Sequence, residues 1–122
     1  MNIEKITMPN ATIALITGTE EAITDVSSAM DLMLSARYQT GADRLAIDKR
    51  LVCRDFFILS TGLAGEILQK FINYHVKAAF YGDYSHYTSK PLKDFIYESN
   101  QGRDFFFVPT REEAIAALDD AK

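Results

Sequence analysis

Three short apolar segments, separated by segments with helical periodicity, constrain the fold of this chain more than any other feature. They are residues 45–47, 76–81 and 105–108. The last of them is apolar at every position, which is typical of a strand covered on both faces. Strands that alternate with helices are joined by right-handed crossovers, so the three segments are predicted to pair in parallel.

Two further stretches with β propensity, residues 3–8 and 11–16, precede this pattern. Pro9 and Asn10 between them favour a tight turn, so an N-terminal β-hairpin is predicted. The 122 residues provide enough chain for one core. The expected fold is a single α/β domain over residues 1–122, with the hairpin followed by alternating helices and strands in a mostly parallel central sheet.

Four helices are predicted from apolar spacing and from residues that favour helix ends. The first is capped by Thr24 and stops near Gly41. The second covers residues 62–73, the third residues 90–101, and Thr110 begins the last through a capping box. The core between helices and sheet is predicted to include Leu63, Ile67, Phe71, Phe95, Ile96 and Phe106.

Charge and cysteine content restrict the possible partners. The 13 basic and 17 acidic residues give a net charge of -4, which disfavours nucleic acid and anionic membranes as partners. Cys53 is the one cysteine, so no internal disulfide can form, which fits a reducing compartment. Residues 1–10 lack a signal-peptide core, and no apolar run approaches the roughly 20 residues of a membrane span. We therefore expect a cytoplasmic protein without membrane or nucleic-acid partners.

Polar residues near the predicted strand ends were considered as catalytic or metal-binding groups. Asp48, Glu66, Asp83 and His86 could form an acid/base set, because Asp48 and Asp83 follow strands at the carboxyl edge of the sheet, where α/β sites gather. The alternative is that all four are structural or solvated. His75 and His86 would lie at opposite ends of a strand, and no metal-ligand spacing occurs. The sequence predicts no metal and no cofactor, and it assigns no catalytic residue.

The start of the second helix carries a candidate phosphoacceptor or anion site at Ser60, Thr61 and Gly62. A phosphate on Thr61, or a bound anion, would lie beside free backbone N–H groups. The alternative is that Ser60 or Thr61 only caps the helix. Gly62 and Gly65 weaken the helix. Their presence would be explained either by close packing of the helix on the sheet or by access for a ligand or partner.

Two segments combine aromatic rings with polar groups, as binding surfaces do. Phe56 and Phe57 are adjacent; one ring is predicted to be in the core, and an exposed second ring would suggest an interface. The loop 83–89 contains Tyr84 and Tyr87, which could instead fold the loop onto the core. The candidate binding surface comprises Asp48, Phe56, Phe57, Asp83, Tyr84 and Ser85.

Two stretches resemble a bacterial family catalogued as domain of unknown function 4180. One is Thr61-Gly-Leu-Ala-Gly-Glu-Ile-Leu-Gln-Lys-Phe71. The other is Gly82-Asp-Tyr-Ser, followed by Asp94-Phe-Ile-Tyr-Glu-Ser-Asn-Gln-Gly-Arg103. The resemblance extends over nearly the whole chain and implies no particular activity.

The element order is similar to that of STAS domains, as found in anti-sigma factor antagonists. Those domains carry Asp-Ser-Ser/Thr-Gly-Leu at the start of the helix after the third strand, where this chain reads Leu59-Ser60-Thr61-Gly62-Leu63. The resemblance implies that Thr61 corresponds to their phosphorylation site. Leu59 stands in place of the aspartate.

Two functions are consistent with these patterns. The first is a non-enzymatic regulatory or protein-interaction module, STAS-like, whose working face surrounds the N-terminus of the second helix and whose partner is another protein. The alternative is a small-molecule-binding protein or enzyme with a site between residues 49–61 and 83–89. A deep pocket would favour the second function, and a flat apolar surface would favour the first.

Overall fold

The computed structural model describes all 122 residues. Its strands are β1 (Asn2–Thr7), β2 (Thr12–Thr17), β3 (Arg44–Asp48), β4 (Lys77–Tyr81) and β5 (Phe105–Val108). Its helices are α1 (Val26–Thr40), α2 (Leu63–Asn73), α3 (Lys90–Gln101) and α4 (Arg111–Asp120). Three 3-10 turns, Lys49–Leu51, Arg54–Phe57 and Leu59–Thr61, connect β3 to α2. None of the helices has the length and apolar character needed to cross a membrane.

The strands form one five-stranded sheet in the order β1-β2-β3-β4-β5. β1 pairs with β2 in antiparallel orientation, as the predicted hairpin requires, and every other neighbouring pair is parallel. The predicted parallel arrangement of residues 45–47, 76–81 and 105–108 is confirmed. The mixed α/β fold class is confirmed with it. Because β2 to β5 follow one another in chain order, right-handed crossovers place the connecting helices on one face of the sheet.

The two faces of the sheet are covered by different numbers of helices. On one face, α1, α2 and α3 enclose a cluster of 25 buried residues; on the other, α4 alone covers a cluster of 7. Phe105 and Phe107 belong to the large cluster and Phe106 to the small one, as alternation along a strand dictates. The predicted core is thus divided between two faces, with Phe71 on the face opposite Phe106. The predicted core residues that are only partly buried are Leu63, Phe95 and Ile96.

The predicted cap of α1 is wrong by one residue. Asp25, not Thr24, is the N-cap: its carboxylate accepts a hydrogen bond of 2.8 Å from the Ser28 N–H. The Ser28 hydroxyl in turn accepts from the Asp25 N–H at 3.0 Å. Both residue types are good caps, and the reciprocal bond to Ser28 favours Asp25. Gly41, with φ of 74°, ends the helix as predicted.

The C-terminal end of α4 is held by polar contacts at the amino ends of β2 and β3. The Asn10 N–H in the hairpin turn donates to the buried Asp119 carboxylate at 2.9 Å. The guanidinium of Arg44 on β3 donates to the carbonyls of Leu118 and Ala121. The two Arg44 contacts satisfy carbonyl groups at the end of the helix, where no further turn of the helix provides donors.

Candidate functional site

The carboxyl ends of β3 and β4, with the segments that follow them, form a concave surface containing three adjoining cavities. We call them the loop cavity, about 470 Å³, the Glu21 cavity, about 520 Å³, and the Asp83 cavity, about 400 Å³. The loop cavity lies between residues 54–60 and 86–92. His86 lines all three cavities. The site predicted between residues 49–61 and 83–89 therefore coincides with a real depression in the surface.

Lys49 lies on this surface and rests on aromatic rings. Its Nζ lies 5.1 Å from the ring centroid of Phe57, 5.5 Å from that of Tyr84 and 4.8 Å from that of Tyr87. Such cation–π contacts stabilise by about 0.5–2 kcal/mol, depending on desolvation. Lys49 lines both the Glu21 cavity and the Asp83 cavity, so its side chain separates the two.

Gly82 explains how the Lys49 side chain reaches these rings. A Cβ atom on Gly82 would lie 2.7 Å from Cβ of Lys49 and 3.1 Å from its Cδ. The aliphatic stem of Lys49 therefore crosses the backbone just after β4, at a place where only glycine leaves room.

Asp48, the last residue of β3, is 5% exposed and is bound by Arg50. Its carboxylate accepts from Nη2 of Arg50 at 2.8 Å, from Nε at 3.2 Å and from the backbone N–H at 2.9 Å. The hydrogen bond to Asp48 raises the pKa of the Arg50 guanidinium. Burial, followed by the Asp48 charge, raises the pKa of the neighbouring Tyr81. The negative charge of Asp48 is therefore matched by Arg50 and not by Lys49.

The loop 83–89 folds onto the core, as the alternative interpretation of its tyrosines predicts. The rings of Tyr84 and Tyr87 lie 5.9 and 5.6 Å from that of Phe57. The Tyr84 hydroxyl donates to the Phe80 carbonyl at 2.9 Å, and burial raises its pKa strongly. Aromatic packing of this kind holds the loop in one place, so the walls of the cavities are formed before any ligand arrives.

Asp83 and its neighbours form a local turn. The Asp83 carboxylate accepts from the Ser85 hydroxyl at 2.6 Å and from the Ser85 N–H at 2.8 Å, and these hydrogen bonds lower its pKa. Nδ1 of His86 lies 4.0 Å from the same carboxylate. Ser85 contacts the acid directly, without an intervening histidine, so the order of groups differs from that of a catalytic triad.

Both rings of the Phe56–Phe57 pair are buried, at 1% and 5% exposure. The exposed second ring that would have suggested an interface is therefore absent. Phe56 points into the large cluster, 5.2 Å from the ring of Phe80. Phe57 belongs to the same cluster, with its ring 5.0 Å from that of Phe56, and it also packs under Lys49 and the tyrosine loop.

Thr61 uses its hydroxyl to close the turn before α2. The hydroxyl lies 2.8 Å from the Asp55 carbonyl and 2.9 Å from the Ile58 carbonyl, to which it can donate, and it accepts from the Leu63 N–H at 3.2 Å. The N-cap itself is Gly62, which makes no side-chain cap. The residue is exposed, and its phosphorylation stays a prediction. Ser60 lines the loop cavity.

Replacing Thr61 by valine is expected to lower the free energy of unfolding by about 1 kcal/mol, because the two carbonyls and the Leu63 N–H lose their hydroxyl partner. Thr61→Ser keeps the hydroxyl and should be nearly silent. Urea denaturation of the three proteins measures the difference. A loss for serine with none for valine would show that the methyl group, and not the hydroxyl, matters.

Gly62 and Gly65 do not serve close packing on the sheet, so that explanation is wrong for both. A Cβ on either residue would meet nothing within 4 Å, and Gly62 has φ of +78°. Gly62 is required by its left-handed backbone. Gly65 borders a separate groove of about 880 Å³ between α1 and α2. The groove is lined by Val26, Gly62, Gly65, Glu66, Gln69, Lys70 and Asn73.

The proposed acid/base set is only partly brought together. Asp48, Asp83 and His86 line the Asp83 cavity, whereas Glu66 lies in the groove along α2. No three His, Cys, Asp or Glu side chains are grouped so that they could hold a metal ion. The contact between Lys49 and Gly82 is not predicted from the sequence. Their contact joins residues 33 positions apart, and only the pairing of β3 with β4 brings them together.

Comparison with known proteins yields one family. A family model described as domain of unknown function (DUF4180) matches residues 8–118. No curated protein and no solved structure matches the chain. The sheet and its four packed helices are consistent with a STAS-like arrangement, and the STAS resemblance itself stays a prediction.

Proposed function

The chain belongs to the DUF4180 family, and we propose that it is a small-molecule-binding domain whose ligand occupies the loop cavity. The observation that carries this proposal is the cavity itself. Its volume of about 470 Å³ falls in the range of about 300–1,000 Å³ that is typical of ligand sites. It also lies outside the carboxyl ends of parallel strands, where α/β domains generally bind their ligands.

The lining of the loop cavity suits an organic molecule with both apolar and polar parts. One wall is apolar, with Phe57, Leu59 and Pro91, and Tyr87 adds a ring. Hydroxyl groups and two nitrogen-bearing side chains are distributed around the cavity. The polar residues of the lining are Arg54, Ser60, His86, Thr88 and Ser89.

Binding without chemical conversion is the activity that these groups support. Ser85 and Asp83 hydrogen-bond to each other within one turn, and His86 reaches the carboxylate and not a hydroxyl. A nucleophile needs a base within hydrogen-bond distance to be activated, and no lining residue of the loop cavity forms such a pair. We therefore propose a regulatory or carrier role for the bound molecule.

Retention of a cellular small molecule tests this function. The protein would be equilibrated with a metabolite extract, washed and denatured, and the released compounds identified by mass spectrometry. A Thr88→Phe variant fills the loop cavity, since Thr88 is exposed and lines it. Ser35→Phe, at an exposed position on α1 outside the cavities, is the matched control.

We expect one compound, or a few related ones, to be retained by the wild type and by Ser35→Phe and lost by Thr88→Phe. If no compound shows this pattern, the loop cavity is not a ligand site and the proposed function is wrong.

A protein-interaction module remains a second candidate, and the groove between α1 and α2 favours it. Gly65 leaves the floor of that groove open at the cost of helix stability. The working face proposed around the N-terminus of α2 would then be this groove.

Substituting Gly65 by alanine is expected to raise the free energy of unfolding by about 0.5–1 kcal/mol, because alanine favours the helix and the new methyl group meets nothing. Thermal denaturation checks the increase. Capture of a protein partner by the wild type, lost in Gly65→Leu, would support the interaction module. Equal capture by both would remove the groove as its working face.

A further inference from the structure

Lys49 and Arg54 are the two cations of the Glu21 cavity, and neither has a carboxylate partner within 4.0 Å. The five ion pairs of the chain include neither Lys49 nor Arg54. Lys49 makes no hydrogen bond through its ammonium group, although it is half-buried over three rings. The nearest carboxylate along the chain, Asp48, is occupied by Arg50. Asp83 interacts electrostatically with Lys49 but forms no ion pair with it. A half-buried ammonium group that no carboxylate contacts directly is a favourable partner for an anion.

The position of Lys49 is fixed by its packing against Gly82 and against three aromatic rings. Gly82 provides the space for its stem, and the rings of Phe57, Tyr84 and Tyr87 hold its ammonium group. Ordering a long lysine side chain costs conformational entropy, so a solvated lysine would not ordinarily be held in this way. The ammonium group is thus directed at the space that it borders.

Two cations and two rings border the same space. Lys49 and Arg54 both line the Glu21 cavity, together with Phe57 and Tyr87. Arg54, Phe57 and Tyr87 also line the loop cavity. A molecule can therefore place a charged group beside the two cations and extend an apolar part over the shared rings into the loop cavity.

We propose that the ligand is a small organic anion whose carboxylate or phosphate group binds between Lys49 and Arg54, while its apolar part lies against Phe57 and Tyr87. This inference rests on the proposed small-molecule function and names its ligand class. Glu21 also lines this space and opposes the anion, so it limits affinity.

Binding of defined probes to the purified protein tests the inference. Phenyl phosphate and benzoate represent the two anionic groups, benzyl alcohol is the neutral analogue, and benzyltrimethylammonium is the cationic one. Dissociation constants would be obtained from amide chemical-shift changes at residues 49–60 and 84–92 in NMR titrations. We expect at least one anion to bind about tenfold more tightly than the neutral probe, as expected for a charge-assisted contact.

Variants of Lys49 and Glu21 test whether these two side chains determine the affinity for the anionic probe. Lys49→Met should weaken binding of the anion about tenfold, and Lys49→Arg should keep most of it. Glu21→Gln should strengthen binding, because it removes the opposing charge. Lys70→Met, in the groove along α2, changes net charge equally and should leave binding unchanged.

Three outcomes would overturn the inference: equal binding of the neutral probe, preferential binding of the cationic probe, or anion binding that is unchanged by Lys49→Met. In each of these outcomes a probe still binds in the cavity, so the proposed small-molecule function would not be contradicted. If none of the probes shifts these residues, the anion inference is also wrong, and the retention experiment with Thr88→Phe decides the broader function separately.

Discussion

Replacing Phe71 by alanine should lower the free energy of unfolding by about 3–5 kcal/mol. Phe71 lies on the sheet-facing side of α2, has 0% exposure and belongs to the large cluster. Its removal leaves a cavity that the packed sheet and helices cannot fill by collapse. Urea denaturation monitored by circular dichroism measures the loss.

The adjacent residue provides a control for this prediction. Ile72 is 44% exposed on the outer side of α2, so Ile72→Ala should change the free energy of unfolding by no more than about 1 kcal/mol. Similar losses at the two positions would show that the orientation of α2 on the sheet is wrong.

Gly82→Ala is expected to cost about 1–3 kcal/mol for two reasons: its φ of +157° disfavours any side chain, and the new Cβ would lie 2.7 Å from Cβ of Lys49. The collision should also move Lys49 off its rings. Anion binding should weaken together with stability if Lys49 is the anchor. Gly65→Ala is the matched glycine control, since its Cβ meets nothing.

A double-mutant cycle separates the contact with Lys49 from other effects of the new methyl group. In a Lys49→Gly background the colliding stem is gone, so Gly82→Ala should cost at least about 1 kcal/mol less than in the wild type. A coupling energy near zero would mean that Gly82 is required for some reason other than Lys49.

The fold could be predicted from the sequence because its signals are local. The predicted bounds of the apolar segment 105–108 and of the helix over residues 90–101 match the observed strand and helix. The structure adds Ser89 as the cap of that helix. A proline in the first turn, a hydroxyl cap and a terminal glycine each act within a few residues. The one-residue error at Thr24 and Asp25 arose where two neighbouring residues are both competent caps.

The site was predictable only in outline. The order of strands and helices predicts that Asp48 and Asp83 lie at the same edge of the sheet. In the structure both residues line the Asp83 cavity. The placement of Lys49 could not be predicted in this way, because its neighbours come from loops that follow different strands. Asp48 and Arg50 are two residues apart at the end of β3. This spacing was the one local signal that Asp48 pairs with Arg50 and not with Lys49.

The unequal covering of the two sheet faces has a consequence for synthesis of the chain on the ribosome. The face that carries Ile13, Leu15, Ala46, Ala79 and Phe106 is buried by α4 alone, and α4 is translated after every strand that it covers. While the nascent chain ends before Arg111, the sheet can acquire its three crossover helices but still presents an apolar face to the surrounding water. Such surfaces attract chaperones or other nascent chains, so the domain completes folding only when its last helix leaves the exit tunnel.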